Sequence, residues 1–430
     1  MDATPLRLRP AAAPSPDRPV AAPFPDRPAA APFPEHPVAA PSPEQPDAGP
    51  SAEHPDAGPA RPAVTELRLS AYKRHRGAAF PLGPVTLFAG ASGTGKSTAL
   101  EAYARLAALA CGRTLAEAFP DAPDCVPDRA VADAQGRRGF RIGCTVDGPV
   151  GPVRLDLAVQ ADPELRVVGE RLVAAGQTLL TTALTDPRRP SLQAAWLTGG
   201  TAHVTRAPLP DDRLGTALLP LRVAGSTAGQ RTVLAAAEQV VVALRAVFAC
   251  DPQPHRMRAP AAPGTGLLRA GCDNLAEVLR RTRDECATRH AALVRAARTG
   301  CAGPVADLRA RTLADGRVTA ELGRGGVLPG TPLGRLGEGE LRFLALALVL
   351  LTGPGVLAVD PAAELLPARQ ALAVLADGLD RGLDGRQTAE LLRLALLSCG
   401  RGHVRLAGAV GEDGAGARGL AGVSVVDLVA

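Results

Sequence analysis

This sequence predicts an α/β fold built around a phosphate-binding loop, and three observations carry the prediction. A short apolar, β-branched run, Val85-Thr86-Leu87-Phe88-Ala89, leads into Gly90-Ala91-Ser92-Gly93-Thr94-Gly95-Lys96-Ser97-Thr98 and then into a helical pattern over 97–106. Alternating strand patterns, separated by glycine and proline turns, occupy about 138–185. Strand and helix patterns return after 355. Strand, loop and helix in that order open a sheet that helices flank.

The loop fits G-x-x-x-x-G-K-[ST] without a mismatch. Its glycines let the backbone turn its N–H groups inward onto phosphate oxygens. Lys96 can reach the β- and γ-phosphates, and the Ser97 hydroxyl can join the shell of a magnesium ion. Ala91, Ser92, Thr94 and Thr98 complete the cradle, and the helix after it turns its positive end to the phosphates. A P-loop NTPase with ATP and Mg2+ as ligands is expected. Without an N-K-x-D motif, guanine is not the expected base.

The 430 residues leave room for two or three domains. Arginine far outnumbers lysine, which occurs only at Lys73 and Lys96, so the loop lysine is no accident of composition. A net charge of +5 with no dense basic block permits nucleic-acid contact without arguing for it. The eight cysteines form no C-x-x-C pair, and no histidine lies at finger spacing, which argues against zinc and for reduced thiols. The longest apolar run, 343–352, is about half of what spans a bilayer. No leader pattern opens the chain, so a cytoplasmic protein with no membrane partner is expected.

Residues 1–63 are a degenerate repeat, in which Ala21-Ala22-Pro23-Phe24-Pro25-Asp26-Arg27-Pro28 recurs as Ala31-Pro32-Phe33-Pro34-Glu35-His36-Pro37. Proline at nearly every third position forbids helix and ladder bonding, so a disordered, polyproline-like tail is expected. Such a tail is a spacer or a ligand for an unknown partner with an aromatic groove. The ordered body, 64–430, opens on a strand at 64–70 and continues through the antiparallel β lobe at about 138–185. A helical region spans about 227–330, with helix patterns at 227–248 and 275–297. The last part, about 331–430, has a helix pattern at 341–351 and then alternates strand and helix through 356–359, 369–379, 388–398 and 404–407.

Within that last part, Leu336-Gly337-Glu338-Gly339-Glu340-Leu341-Arg342-Phe343-Leu344-Ala345 resembles the L-S-x-G-[ET]-x-R-F-L-A signature of ABC-type ATPases of the RecF/SMC group. The order of parts over 64–430 is most similar to the predicted AAA-family ATPases related to overcoming-lysogenization-defect proteins. The resemblance implies an ABC-ATPase-like head with an antiparallel β lobe and a small helical lobe. It also implies an ATP-dependent homodimer, in which Gly337, Gly339 and Glu340 of one head face the γ-phosphate held by the other. Gly337 stands where the family has serine, which removes one hydroxyl contact. DNA-associated or defence-type processes are implied by the resemblance alone.

The run Gly355-Val356-Leu357-Ala358-Val359-Asp360-Pro361 resembles the family's hydrophobic strand that ends in two acids and a proline. With Pro361 in register, Asp360 takes the place of the catalytic glutamate and Val359 that of the magnesium-linked acid. With a one-residue gap, Asp360 is the magnesium-linked acid and the base is gone. Ser97 and Asp360 are thus the expected metal ligands, and Asp360 with Glu364 the expected catalytic carboxylates. The family's switch histidine follows its last core strand; 403–410 resembles that strand, with Ala409 or Val410 in the histidine's place. Two functions remain open: a slow ATPase, or an ATP-dependent switch that does not hydrolyse its ligand. The signature argues against a small-molecule kinase.

Three further features carry weaker expectations. Lys73-Arg74-His75-Arg76 is a basic turn, and in the resembled group this loop approaches the nucleotide. Arg280, Arg281, Arg283, Arg289, Arg295 and Arg298 could touch a polynucleotide backbone, but Asp284 and Glu285 interrupt them and favour a solvated helix face. Trp196 stands alone and reads as core.

Overall fold

A computed structural model describes residues 61–199, 203–359, 370–412 and 417–429. Strands β1 (Ala63–Tyr72) and β2 (His75–Pro81) form a hairpin, and β3 (Val85–Ala89) runs into the phosphate loop. The loop leads to α1 (Lys96–Ala110), and one turn of helix, α2 (Leu115–Ala118), follows. Six strands come next: β4 (Arg138–Asp147), β5 (Val153–Asp162), β6 (Arg166–Ala174), β7 (Gln177–Ala183), β8 (Ser191–Leu197) and β9 (Val204–Pro210). Then come α3 (Gly215–Leu218), α4 (Ala228–Arg245), β10 (Val247–Cys250), α5 (Pro254–Met257), α6 (Leu275–Glu285) and α7 (Ala287–Gly300). The chain continues through β11 (Asp307–Thr312), β12 (Val318–Gly323), β13 (Thr331–Pro332) and α8 (Glu338–Leu350). It closes with β14 (Leu372–Ala376), α9 (Gly385–Gly400), β15 (Val404–Val410) and β16 (Val423–Asp427).

The mixed α/β architecture is as expected, and three sheets organise it. The central one is parallel throughout, in the order β10-β14-β15-β3-β16. Its strands β3 (VTLFA) and β14 (LAVLA) are buried at every residue, as befits a parallel sheet covered on both faces. Alternate residues serve the two faces. Phe88, Ala373, Leu375, Ala407 and Ala409 join a core with α1, α4 and the β lobe. Leu87, Ala89, Val374, Leu406 and Val410 join a second core with α6, α7, α8 and α9. The antiparallel lobe has the order β2-β1-β4-β5-β6-β7-β8-β9, and the helical lobe carries a small sheet, β11-β12-β13.

Several expectations are corrected. The β lobe is larger than 138–185: the β1–β2 hairpin joins one edge, and β8 and β9 extend the other. The period-two pattern of β8, with Leu192, Ala194 and Trp196 turned inward, is weakened in sequence by alanine and glutamine. Trp196 is core, as read. The 275–297 stretch is two helices, broken where Cys286 takes extended backbone angles. The strand expected at 356–359 does not form. Pro354–Val356 is a 3-10 turn, and Leu357 makes only an isolated bridge to Leu268. The strand that does join the central sheet is β14, inside 369–379. Its Ala/Leu/Val composition suits a buried helix as well as a buried strand, and only pairing with β10 and β15 settles which. The tail at 1–60, Asp360 and Glu364 lie outside the described residues.

No described helix is long and apolar enough to cross a membrane. The described cysteines are all free thiols. The ring of Phe343, fully buried in α8, packs directly on the Cα of Gly300 at the end of α7. A Cβ at residue 300 would overlap that ring, which has no room to move in a close-packed core. Gly300→Ala is therefore expected to cost about 1–3 kcal/mol, read as a lower urea midpoint at unchanged slope.

Candidate functional site

The phosphate loop takes the shape its glycines permit. Gly90, Gly93 and Gly95 all adopt positive φ (147°, 81° and 98°). At Gly95 a Cβ would stand 2.5 Å from the His75 ring, and at Gly90 it would strike the Leu428 carbonyl, so close packing adds to the backbone demand. Thr94 Oγ1 donates to the Ala91 carbonyl at 2.9 Å, which closes the turn. Lys96 Nζ donates to the carbonyls of Gly90 and Ala91 at 2.6 and 2.7 Å, so the ammonium lies along the loop that it is expected to serve. Ser92, Gly93 and Ser97 are exposed, while Ala91 and Thr98 are half-buried.

Among the described residues, the fold brings the carboxylate of Asp377 to this loop, a residue the sequence analysis did not single out. Asp377 follows the last residue of β14, and the Ser97 hydroxyl donates to its Oδ1 at 3.0 Å. The signal was present as five buried-type residues, Leu372 to Ala376, ending on an aspartate. A hydroxyl and a carboxylate, both hard oxygen donors and both solvent-accessible, fit a magnesium ion. The next residue is not a second acid but Gly378, at a φ of 61°. Beyond it, Asp380 Oδ2 accepts from the backbone N–H of Gly411 at 2.8 Å, just past the end of β15. No histidine occurs anywhere after His403.

The signature residues begin α8, and each has a visible local role. Gly337 is the exposed cap residue, and its N–H donates to Glu340 Oε2 at 3.0 Å. Glu340 Oε1 accepts from Ala302 N–H at 2.8 Å, so that carboxylate is committed to capping the helix and tying it to α7's end. Gly339 packs on the carbonyl of Gly382, leaving no space for a Cβ. Further along α8, the buried Arg342 donates to the Pro252 carbonyl at 2.7 Å and to the Gly378 carbonyl at 3.0 Å. The signature helix is thereby joined to the end of β14 within one chain.

The basic turn between β1 and β2 lies against the phosphate loop. Arg74 is exposed, with its side chain beside Gly95 and Gly93. Lys73 Nζ donates to Glu101 on α1 at 2.6 Å. Glu101, Asp121 and Cys125 could between them face a metal ion, but Lys73 and Arg105 already neutralise the two carboxylates. Among the arginines of α6 and α7, Arg280, Arg283 and Arg295 are exposed, Arg281 pairs with Glu285, Arg298 donates to the Val305 carbonyl, and Arg289 is half-buried.

His75 is buried under the loop, with Nε2–H donating to the Gly95 carbonyl at 3.1 Å. Burial lowers its pKa below the ordinary 6.5; the Gly95 contact opposes that and Arg74 adds to it. The folded chain thus refuses a proton that the unfolded chain accepts. The stability from His75 is intact above about 6.5 and fades as pH falls through that value. His75→Gln, which keeps a donor without titrating, is expected to flatten the fall in melting temperature between about pH 7 and 5.5. An identical pH profile in the two proteins would assign that titration to another group.

Comparison with known proteins gives no matching family model and no matching curated protein. Solved structures do match. The Smc head bound to the C-winged helix domain of ScpA is similar at 12% identity and a TM-score of 0.44, over 81% of this chain and 90% of that one. The Smc head domain with an extended coiled coil, bound to the C-terminal domain of ScpA derived from Pyrococcus furiosus, is similar at 11% and 0.43, over 82% and 90%. The SMC head domain from Thermotoga maritima is similar at 12% and 0.38, over 82% and 90%.

Proposed function

We propose that this protein binds ATP with Mg2+ and uses the bound nucleotide as a clamp between two copies of itself, with binding rather than turnover as the working step. The observation that carries the reading is the hydrogen bond from Ser97 to Asp377, which sets a P-loop hydroxyl and a strand-end carboxylate 3.0 Å apart. That pair would hold Mg2+, whose chemistry is to neutralise charge on the phosphates. Lys96 and the N–H groups of 90–98 would bind the phosphate oxygens.

Among the described residues, those that would carry hydrolysis are thin. A water attacking the γ-phosphate needs a group to orient it and take its proton, and losing such a group typically costs about 10²–10⁴ in rate. The position after Asp377 is Gly378, and no histidine follows β15. In the resembled group, both places carry the hydrolytic side chains. A triphosphate would therefore persist long enough to hold two heads together. The exposed N-terminus of α8, with Gly337 and Glu338 at its tip, supports a contact with the partner's γ-phosphate.

Four measurements test this. Lys96→Ala is expected to abolish ATP binding, and unchanged affinity would remove the site. Asp377→Asn should weaken Mg2+-dependent ATP binding by about 10–100-fold, the range found when even a ligand's supporting partner is lost. Gly337→Arg adds bulk where the monomer has space and should prevent ATP-driven dimerisation in sedimentation while monomer binding persists; a dimer that still forms would sink the sandwich. Steady-state phosphate release above the Lys96→Ala blank would overturn binding rather than turnover as the working step.

A further inference from the structure

The position after Asp377 is not merely lacking a carboxylate. A Cβ at Gly378 would lie 2.8, 2.9 and 3.0 Å from Nε, Nη2 and Cζ of Arg381, so that guanidinium covers the face of residue 378 from which a side chain would project. A tight turn sets this geometry: Gly378 has a φ of 61°, and Arg381 N–H donates back to the Gly378 carbonyl at 3.0 Å. The same carbonyl accepts from Arg342 on the signature helix at 3.0 Å, which fixes the turn from the opposite side.

The charge of Arg381 is weakly compensated. Among the described residues its ion-pair partner is Asp251, 3.9 Å away, and Asp251 also faces Arg342 at 3.7 Å. Asp377 is engaged by Ser97, and Asp380 by the N–H of Gly411. The Arg381 side chain is 60% exposed, so the guanidinium is accessible and can extend. Four residues after the carboxylate that accepts from Ser97, and on the turn that starts there, the chain thus presents a permanent cation with open donors.

We infer that Arg381 is a ligand for the terminal phosphate of the bound nucleotide and makes the site selective for triphosphate over diphosphate. A guanidinium presents paired N–H donors that match phosphate oxygens, and it stays protonated at any physiological pH. For the same reason it cannot accept a proton from water, so its contact holds the γ-phosphate without activating a nucleophile. The assignment rests on the nucleotide reading above and adds to it the group that senses whether a third phosphate is present.

The test is equilibrium binding of ATP and ADP, each with Mg2+, to the full chain and to Arg381→Ala, Arg381→Lys and Lys96→Ala. Arg381→Ala should lower ATP affinity by about 10–100-fold, the worth of one charge-assisted contact, and leave ADP within about twofold. Arg381→Lys, which keeps the charge without the fork, should fall between. An unchanged ratio of ATP to ADP affinity in Arg381→Ala, whether both fall or neither does, would overturn the role of Arg381. Binding that survives in Lys96→Ala would instead overturn the nucleotide site, so the two failures are told apart.

Discussion

Parallel pairing of β3, β15 and β14 is the constraint on which the site depends. In this register Ala89 stands opposite Val410, and Gly408 opposite Ala376. Three strands then end at one edge of the sheet, and the residues that follow them, Gly90, Gly411 and Asp377, fall together although they are far apart in sequence. The hydrogen bond from Ser97 to Asp377 is a consequence of that edge. An antiparallel arrangement would send alternate ends to opposite edges and scatter the same residues.

Around that edge the chain uses absent side chains as packing devices. Gly95 admits the His75 ring, Gly339 admits the Gly382 backbone, and Gly300 admits the Phe343 ring. Each contact joins two elements: the basic turn to the phosphate loop, α8 to the turn after β14, and α7 to α8. Arg342 adds the polar counterpart by bonding to Pro252 and Gly378 at once. A shift at the tip of α8 would therefore be felt at Gly378, because interiors packed this closely transmit displacement rather than absorb it.

Electrostatics separates holding a nucleotide from consuming one. Among the described residues, those at the loop include several donors: its backbone N–H groups, Lys96 and the exposed Arg74. Donors stabilise negative charge on a phosphate, whereas hydrolysis also needs an acceptor placed to take a proton from water. Asp377 is engaged by Ser97, and Asp380 by Gly411 N–H, which fixes the turn.

The sequence by itself determined the parts whose information is local. A loop of fixed spacing, preceded by a β-branched run and followed by a helix, could be read because strand, turn and helix are each specified by neighbouring residues. The same holds for the helix that begins at 338, most of the β lobe and the inward-facing Trp196. Tertiary structure alone decided which apolar run became the strand beside β15. The segments 356–359 and 372–376 are alike in composition, and each is followed by an aspartate. A parallel strand buried on both faces has no alternation to betray it, so its identity resides in hydrogen bonds to strands far away in the chain. That choice made Asp377 the partner of Ser97 and placed Gly378, covered by the Arg381 guanidinium, directly after it.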